Sequence, residues 1–365
     1  MSGLVKAQLR ISLLPLGFLA LIVLAACDGS TGPEEESGGV DLDLLFSPPS
    51  ASEKAQILGD WDSRTPSAQN VQELAQAVVP YGAEGLSMRI VSHEVDGVTH
   101  VGAIATPLGA APGSLPVVVF SHGGDQGENL DLTLLLLPLV LGDEIDGFVF
   151  VVPAFRSESL VFGGVEYASG GESSPWDRDV DDALALLEVA LSTVPEADPG
   201  SIGVLGFSRG ANVGMLMAIR DPRIDAVVEF FGPTDFFGPF VRTVVEEALG
   251  GSLRELPGLE YLNQEFIQPL NRGEVTHAQI RLEMLRRSPV YFAELLPDLQ
   301  VHHGTDDDVV PVGEGELLIQ VMSDLGRTGP GFQSFLYEGG THDPLSLPGA
   351  FSRTQAFLTR LTAGG

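Results

Sequence analysis

Cysteine is nearly absent: the 365-residue chain holds one, Cys27. That excludes an intrachain disulfide, a thiolate metal cluster and a cysteine-based catalytic centre in the body of the protein. Positive charge is scarce too, with 19 Lys and Arg against 50 Asp and Glu and a formal net charge of −31. Such a balance opposes contact with a phosphate backbone, so no nucleic-acid partner is expected. The acidic residues are spread along the chain rather than gathered in a tail, which reads as a solvated surface. HExxH and comparable ligand spacings are missing, and no metal site is expected from the histidines. No internal repeat is evident, and the 44 Gly and 25 Pro follow no collagen-like period. What is present is a globular composition, 44% hydrophobic and 19% charged, in a length that suits one large domain or two small ones.

Lys6 and Arg10 precede a charge-free apolar run, Ile11 to Ala26, in the layout of an export signal. The run is too short to span a bilayer comfortably. It closes on Leu24-Ala25-Ala26-Cys27, which resembles the lipobox of bacterial lipoproteins. The resemblance implies cleavage before Cys27, diacylglycerol on its thiol, and a protein anchored to a membrane of the bacterial cell envelope. Asp28 resembles an inner-membrane retention signal of Gram-negative lipoproteins, which implies the periplasmic face of the inner membrane. Gly29 to Gly39, with Pro33 and Glu34 to Glu36, has the composition of a flexible tether. The expected organisation is a signal peptide over 1–26, a lipid-anchored acidic linker over 27–40, and one folded domain over 41–365.

Within that domain, Asp41 to Val79 reads as mixed and partly helical. Met88 to Val95 and Val98 to Thr106 are strand-like runs around Asp96-Gly97, a hairpin signal. Short apolar runs follow at Leu115 to Phe120, Phe148 to Val152, Ile202 to Phe207, Ala226 to Phe231, Leu299 to His302 and Phe332 to Tyr337. They have the look of buried parallel strands. The clearest helix covers about Asp179 to Ser192, with acidic residues crowding its first turn. The pattern predicts an α/β fold with an eight-stranded, mostly parallel sheet and helices on both faces. A longer excursion, about 235–290, could cap a site or simply add packing, and Phe236, Phe237 and Phe240 at its start read as core.

Gly206-Phe207-Ser208-Arg209-Gly210 matches GxSxG, in which small flanking residues permit a strained strand-to-helix turn that lifts the serine hydroxyl. The motif alone is weak; its position between a strand-like and a helix-like segment strengthens it. A serine nucleophile needs a histidine to take its proton and a carboxylate to orient that histidine. Three adjacent aspartates, Asp306, Asp307 and Asp308, follow a late strand, and Asp235 follows another. If the acid lies in the late loop, His342 is the only histidine after it. His93, His100 and His277 read as surface or satisfied polar residues. Two backbone N–H donors must face the oxyanion: Arg209 is one candidate, and the other lies in His122-Gly123-Gly124-Asp125.

Segment 303–311 fits HGxxDxxVP, seen in α/β-hydrolases near the prolyl oligopeptidase and dienelactone hydrolase families. His122-Gly123-Gly124 resembles their HGG turn, and Val151 to Arg156 resembles the strand and loop before their elbow. The resemblance covers about residues 88–360. It implies the α/β-hydrolase fold, a triad of Ser208, Asp307 and His342, structural roles for His302 and His303, and an oxyanion hole from the N–H groups of Arg209 and Gly124, with Gly123 or Asp125 as alternatives to Gly124. No cofactor is implied. The expected activity is cleavage of a small-molecule ester or peptide through an acyl-enzyme, carboxylesterase-like. A peptidase of the prolyl oligopeptidase type is the alternative, and a non-catalytic envelope lipoprotein with this fold is the rival of another class. Against a peptidase stand the lack of a preceding β-propeller and Arg209-Gly210-Ala211 in place of aromatic-Gly-Gly. The oligomeric state is not legible.

Overall fold

Apolar runs bounded by turn residues become strands at each of the eight expected places. In the computed structural model, which describes residues 39–81 and 84–362, they are β2 (Leu86–Val95), β3 (Val98–Pro107), β4 (Leu115–Ser121), β5 (Val149–Pro153), β6 (Ala197–Phe207), β7 (Ile224–Phe230), β8 (Asp298–Gly304) and β9 (Phe332–Tyr337). Cys27, the export signal and the tether up to residue 38 lie outside the described residues. A ninth strand, β1 (Gln69–Val79), corrects the eight-stranded expectation. Helices do form at Leu42–Leu45 and Ala51–Ser63, but the Gln-rich stretch after them pairs antiparallel with β2 as a mostly exposed edge. Backbone pairing rather than burial holds it, so it carries no apolar alternation to read.

The sheet order is β1-β2-β3-β5-β4-β6-β7-β8-β9. Pairing is antiparallel from β1 through β3 to β5, and parallel from β5 to β9. The β2–β3 turn has positive φ at both Asp96 and Gly97, the requirement that makes Asp-Gly a hairpin signal. Central strands are covered on both faces, which is why they read as unbroken apolar runs. Val117 and Val119 of β4 share one apolar cluster with Leu187 of helix Arg178–Thr193 and Val213 of helix Arg209–Arg220. Val118 and Phe120 belong to the other, with Leu134 of helix Leu130–Leu141 and Phe357 of helix Ala350–Leu358. A small second sheet, Glu128–Asn129 with the hairpin Ser159–Phe162 and Val165–Ala168, was not foreseen.

The excursion after β7 contains helices Pro239–Leu249, Leu259–Leu262 and His277–Arg286. Phe236, Val241, Phe266 and Met284 join it to the same apolar core as the sheet. Beneath the elbow, Glu229 of β7 is fully buried; its Oε2 accepts the Gly232 N–H at 2.9 Å, and Oε1 has no partner among the described residues. Burial pushes this carboxyl up to about 8 from its ordinary 4.5. The folded state therefore holds a proton that the unfolded chain releases, and stability falls as pH rises through that window. Glu229→Gln is expected to flatten the decline of Tm between about pH 5 and about pH 8. Thermal melts check this, and equal slopes in the two proteins would contradict it.

Candidate active site

The end of β6 and the start of helix Arg209–Arg220 meet at Ser208, whose backbone is held at φ 52°, ψ −119°. A non-glycine residue in that region is strained and persists only where its surroundings fix it. The Ser208 N–H donates to the Phe230 carbonyl at 2.8 Å. Gly206 and Gly210 make the turn possible: a Cβ on Gly206 would meet the Gly210 carbonyl, and one on Gly210 would meet the carbonyls of Ser121 and His122. The GxSxG spacing is thus a packing requirement.

Two loops bring acid and base together. A Cβ on Gly304, at the end of β8, would meet the Gly340 carbonyl, so the loop after β9 lies directly against the loop after β8. The Asp306 N–H donates to Gly340 O at 2.8 Å across this contact. His342 Nδ1 then donates to Asp307 Oδ2 at 2.7 Å. Asp307 Oδ1 accepts the N–H groups of Val309 and Val310, each at 2.9 Å, so the carboxylate is fixed in place. Asp306 and Asp308 are exposed, and Asp235 instead accepts the Phe237 N–H at 2.8 Å and a hydrogen bond from Tyr291. The geometry selects Asp307 as the partner of His342.

His303 and His302 hold the strand end. His303 Nε2 donates to the Val310 carbonyl at 2.8 Å. His302 stacks between Phe230 and Phe335 and pairs with Tyr337 and Gln300. Burial pushes its imidazole down to about 3, so it stays neutral. His277 accepts the Asp41 N–H at 2.9 Å, as a satisfied polar residue. His93 and His100 are buried rather than exposed, facing each other across β2 and β3 beside Asp182. Among the described residues no three His, Cys, Asp or Glu side chains converge as a metal ligand set.

The side chain of Arg209 was not foreseen. It is fully buried and pairs with Asp179 Oδ2 through Nη2 at 2.7 Å and Nε at 3.0 Å, and with Glu158 through Nη1. Nη1 also donates to the Gly124 carbonyl at 3.1 Å, and the guanidinium lies 4.6 Å from the Phe155 ring centroid. The acidic crowding at the start of helix Arg178–Thr193 is the signal that pointed here; it read as a dipole effect. Asp179, Asp181 and Asp182 are in fact buried, and each meets an arginine: Arg209, Arg220 and Arg156. Phe231 was missed as well. Its φ is 43°, and its ring packs 4.3 Å from that of His342, bracing the imidazole opposite Asp307.

Ser208 and His342 line one cavity of about 490 Å³, with His122, Gly123, Gly124 and Glu128 around them. Among the described residues Ser208 Oγ and His342 are not hydrogen-bonded to each other, an arrangement that commonly tightens only once substrate is present. Gly123 abuts Ser208: a Cβ there would lie 3.1 Å from Ser208 Cβ. Gly124, at φ +78°, turns the chain away immediately afterwards. The Arg209 N–H opens a helix and so has no intrahelical acceptor.

Residues 167–248 match the dienelactone hydrolase family. Esterase FrsA of Salmonella typhi is 31% identical over 121 residues, 32% of this chain and 29% of FrsA, so less than a third of that relative is spanned. The structure of acetyl xylan esterase 1 from Thermoanaerobacterium sp. JW/SL YS485 superposes with TM-score 0.58 at 16% identity, covering 89% of this chain and 99% of the esterase. A puromycin-hydrolyzing peptidase from Mycobacterium tuberculosis superposes with TM-score 0.50 at 18% identity, over 77% of this chain and 45% of the peptidase. The chain has the α/β-hydrolase fold.

If the acid is Asp307, Asp307→Asn lowers kcat for any substrate turned over by about 10⁴-fold. Asp235→Asn leaves it within about tenfold of the starting protein. Steady-state kinetics on both variants checks this, and the reverse ranking would contradict it.

Proposed function

We propose that the protein is a serine hydrolase of carboxylesterase type, exported and held by a lipid on Cys27 at the periplasmic face of the bacterial inner membrane. The Asp307–His342 pair at 2.7 Å, facing the cavity that also holds Ser208 on its strained elbow, carries the catalytic part. His342 Nε2 takes the proton of Ser208 Oγ as the oxygen attacks the carbonyl carbon of an ester. Asp307 holds the imidazole by Nδ1 and stabilises its positive charge. The tetrahedral oxyanion is received by the N–H of Arg209 and, as the second donor, that of Gly124. Collapse breaks the bond to the leaving oxygen, which takes the proton from His342. Water, deprotonated by the same imidazole, then releases the acid and restores Ser208.

Ester cleavage is favoured by FrsA and the xylan-acetyl neighbour, both named as esterases. Ester turnover is expected to fall by several orders of magnitude in Ser208→Ala, with labelling by a fluorophosphonate lost at the same time. Retained turnover would contradict the assignment. Absence of both turnover and labelling in the unaltered protein would leave a non-catalytic envelope protein with this fold. No helix among the described residues is long and apolar enough to cross a membrane, so on this reading the membrane contact is the lipid. Labelled palmitate is expected to enter the unaltered protein and not Cys27→Ala; no incorporation in either would remove the anchor.

A further inference from the structure

Ser208, Leu256, Pro257 and Val309 border two adjoining cavities that differ in their remaining walls. The one described above also exposes His342, Gly123 and Gly124. The other is about 60 Å³ and, apart from Ser208 and Arg209, is lined by apolar side chains, among them Trp176, Phe236, Phe240, Val244, Leu259 and Leu262. Most of these belong to the excursion after β7, so Phe236 and Phe240, read from sequence as core, also wall a cavity. Only Phe237 keeps a purely packing role, edge-on to Tyr291 and under the Arg281 guanidinium.

Resting on the hydrolase reading, the stereochemistry of acyl transfer assigns the two spaces. The departing oxygen must be reached by His342, which faces only the larger cavity, so the leaving group occupies that space. The oxyanion points at backbone N–H groups. The remaining substituent of the carbonyl carbon, the acyl chain, is left with the small apolar cavity. A closed apolar cavity of about 150 Å³ takes a benzene ring; a space of about 60 Å³ takes a chain of two to four carbons. Among its walls the Arg209 guanidinium is occupied by Asp179, Glu158 and Gly124, and besides Ser208 the unpartnered polar group is the buried Trp176 indole N–H, a single neutral donor. A charged acyl group would be buried without a counter-charge, which is costly. The larger space is apolar along Phe120, Leu136, Phe207 and Phe231 but also carries Glu128, Thr133, Glu255 and His122, and burial pushes the Glu128 carboxyl up to about 7, so at neutral pH it can either donate to or accept from a hydroxyl.

We propose that the preferred substrates are esters of short apolar acids, acetyl to butyryl, with a bulky hydroxylated alcohol, and that the segment 236–262 sets the acyl length. Phe236, Val241, Val244 and Leu262 form the partition: all four also border a second apolar cavity of about 20 Å³ that continues toward Phe266 and Met284.

The test compares kcat/KM for p-nitrophenyl butyrate and octanoate with the full chain in detergent, alongside Val244→Ala and Leu262→Ala. Mass spectrometry of Ser208 after a biotinylated fluorophosphonate reports the nucleophile independently of acyl length. The unaltered protein is expected to favour butyrate by at least about 100-fold, since two unaccommodated methylenes worth about tenfold each already amount to that. Whichever of the two variants folds should reduce that ratio at least about tenfold by joining the two cavities. A labelled Ser208 in a protein that cleaves octanoate as fast as butyrate, or a ratio unmoved in both variants, would overturn the acyl assignment alone. Neither labelling nor turnover would overturn the hydrolase reading beneath it.

Discussion

A single buried cation holds the catalytic end of the sheet together. Arg209 follows Ser208, the proposed nucleophile, yet its guanidinium runs inward to Asp179 at the start of one helix, Glu158 in the loop after β5, the Gly124 carbonyl of the proposed oxyanion loop and the face of Phe155. Three segments distant in sequence are thereby referenced to the residue beside Ser208. Desolvating such a cluster is expensive, and removing one partner from a buried pair costs about 3–5 kcal/mol because the other charge is stranded. The cluster therefore acts less as a source of stability than as a device that leaves the elbow and the oxyanion loop one arrangement relative to each other. Triad catalysis needs this, because backbone donors must stand where charge will develop before it does.

The same device changes the meaning of the charge balance. The chain has few basic residues, and several of its arginines are enclosed: Arg209 and Arg287 are fully buried, and Arg281 and Arg286 nearly so. Arg64, Arg156 and Arg220 face Asp177, Asp182 and Asp181. Among the described residues more Asp and Glu than Arg are buried, so enclosure removes charge of both signs, and the acidic excess that opposes a polyanionic partner remains at the surface.

Features encoded over a few adjacent residues were legible in the sequence, and those created by distant contacts were not. The central strands β4 to β8 showed because burial on both faces writes an apolar run. The elbow showed because its flanking glycines are forced by carbonyl oxygens of neighbouring segments. His342 stood out by order along the chain. The edge strand β1 stayed hidden because pairing, not burial, holds it. The aspartates of helix Arg178–Thr193 misled because an acidic first turn looks alike whether it faces water or an arginine. Choosing among Asp306, Asp307 and Asp308 needed a family resemblance, whereas in three dimensions burial and one 2.7 Å hydrogen bond decide it. Phe231 and the paired cavities had no local signal at all.

The account stands on Ser208 as nucleophile, with the carbonyl oxygen received by Arg209 and Gly124. The most direct measurement is a crystal structure of the protein with ethylboronic acid, which forms a tetrahedral adduct on a reactive serine. The account predicts a bond from boron to Ser208 Oγ, one boron hydroxyl within hydrogen-bonding reach of the Arg209 and Gly124 N–H groups, another facing His342 Nε2, and the ethyl group between Phe236 and Leu259. Boron absent from Ser208, or an adduct whose oxygen faces neither N–H group, would contradict it.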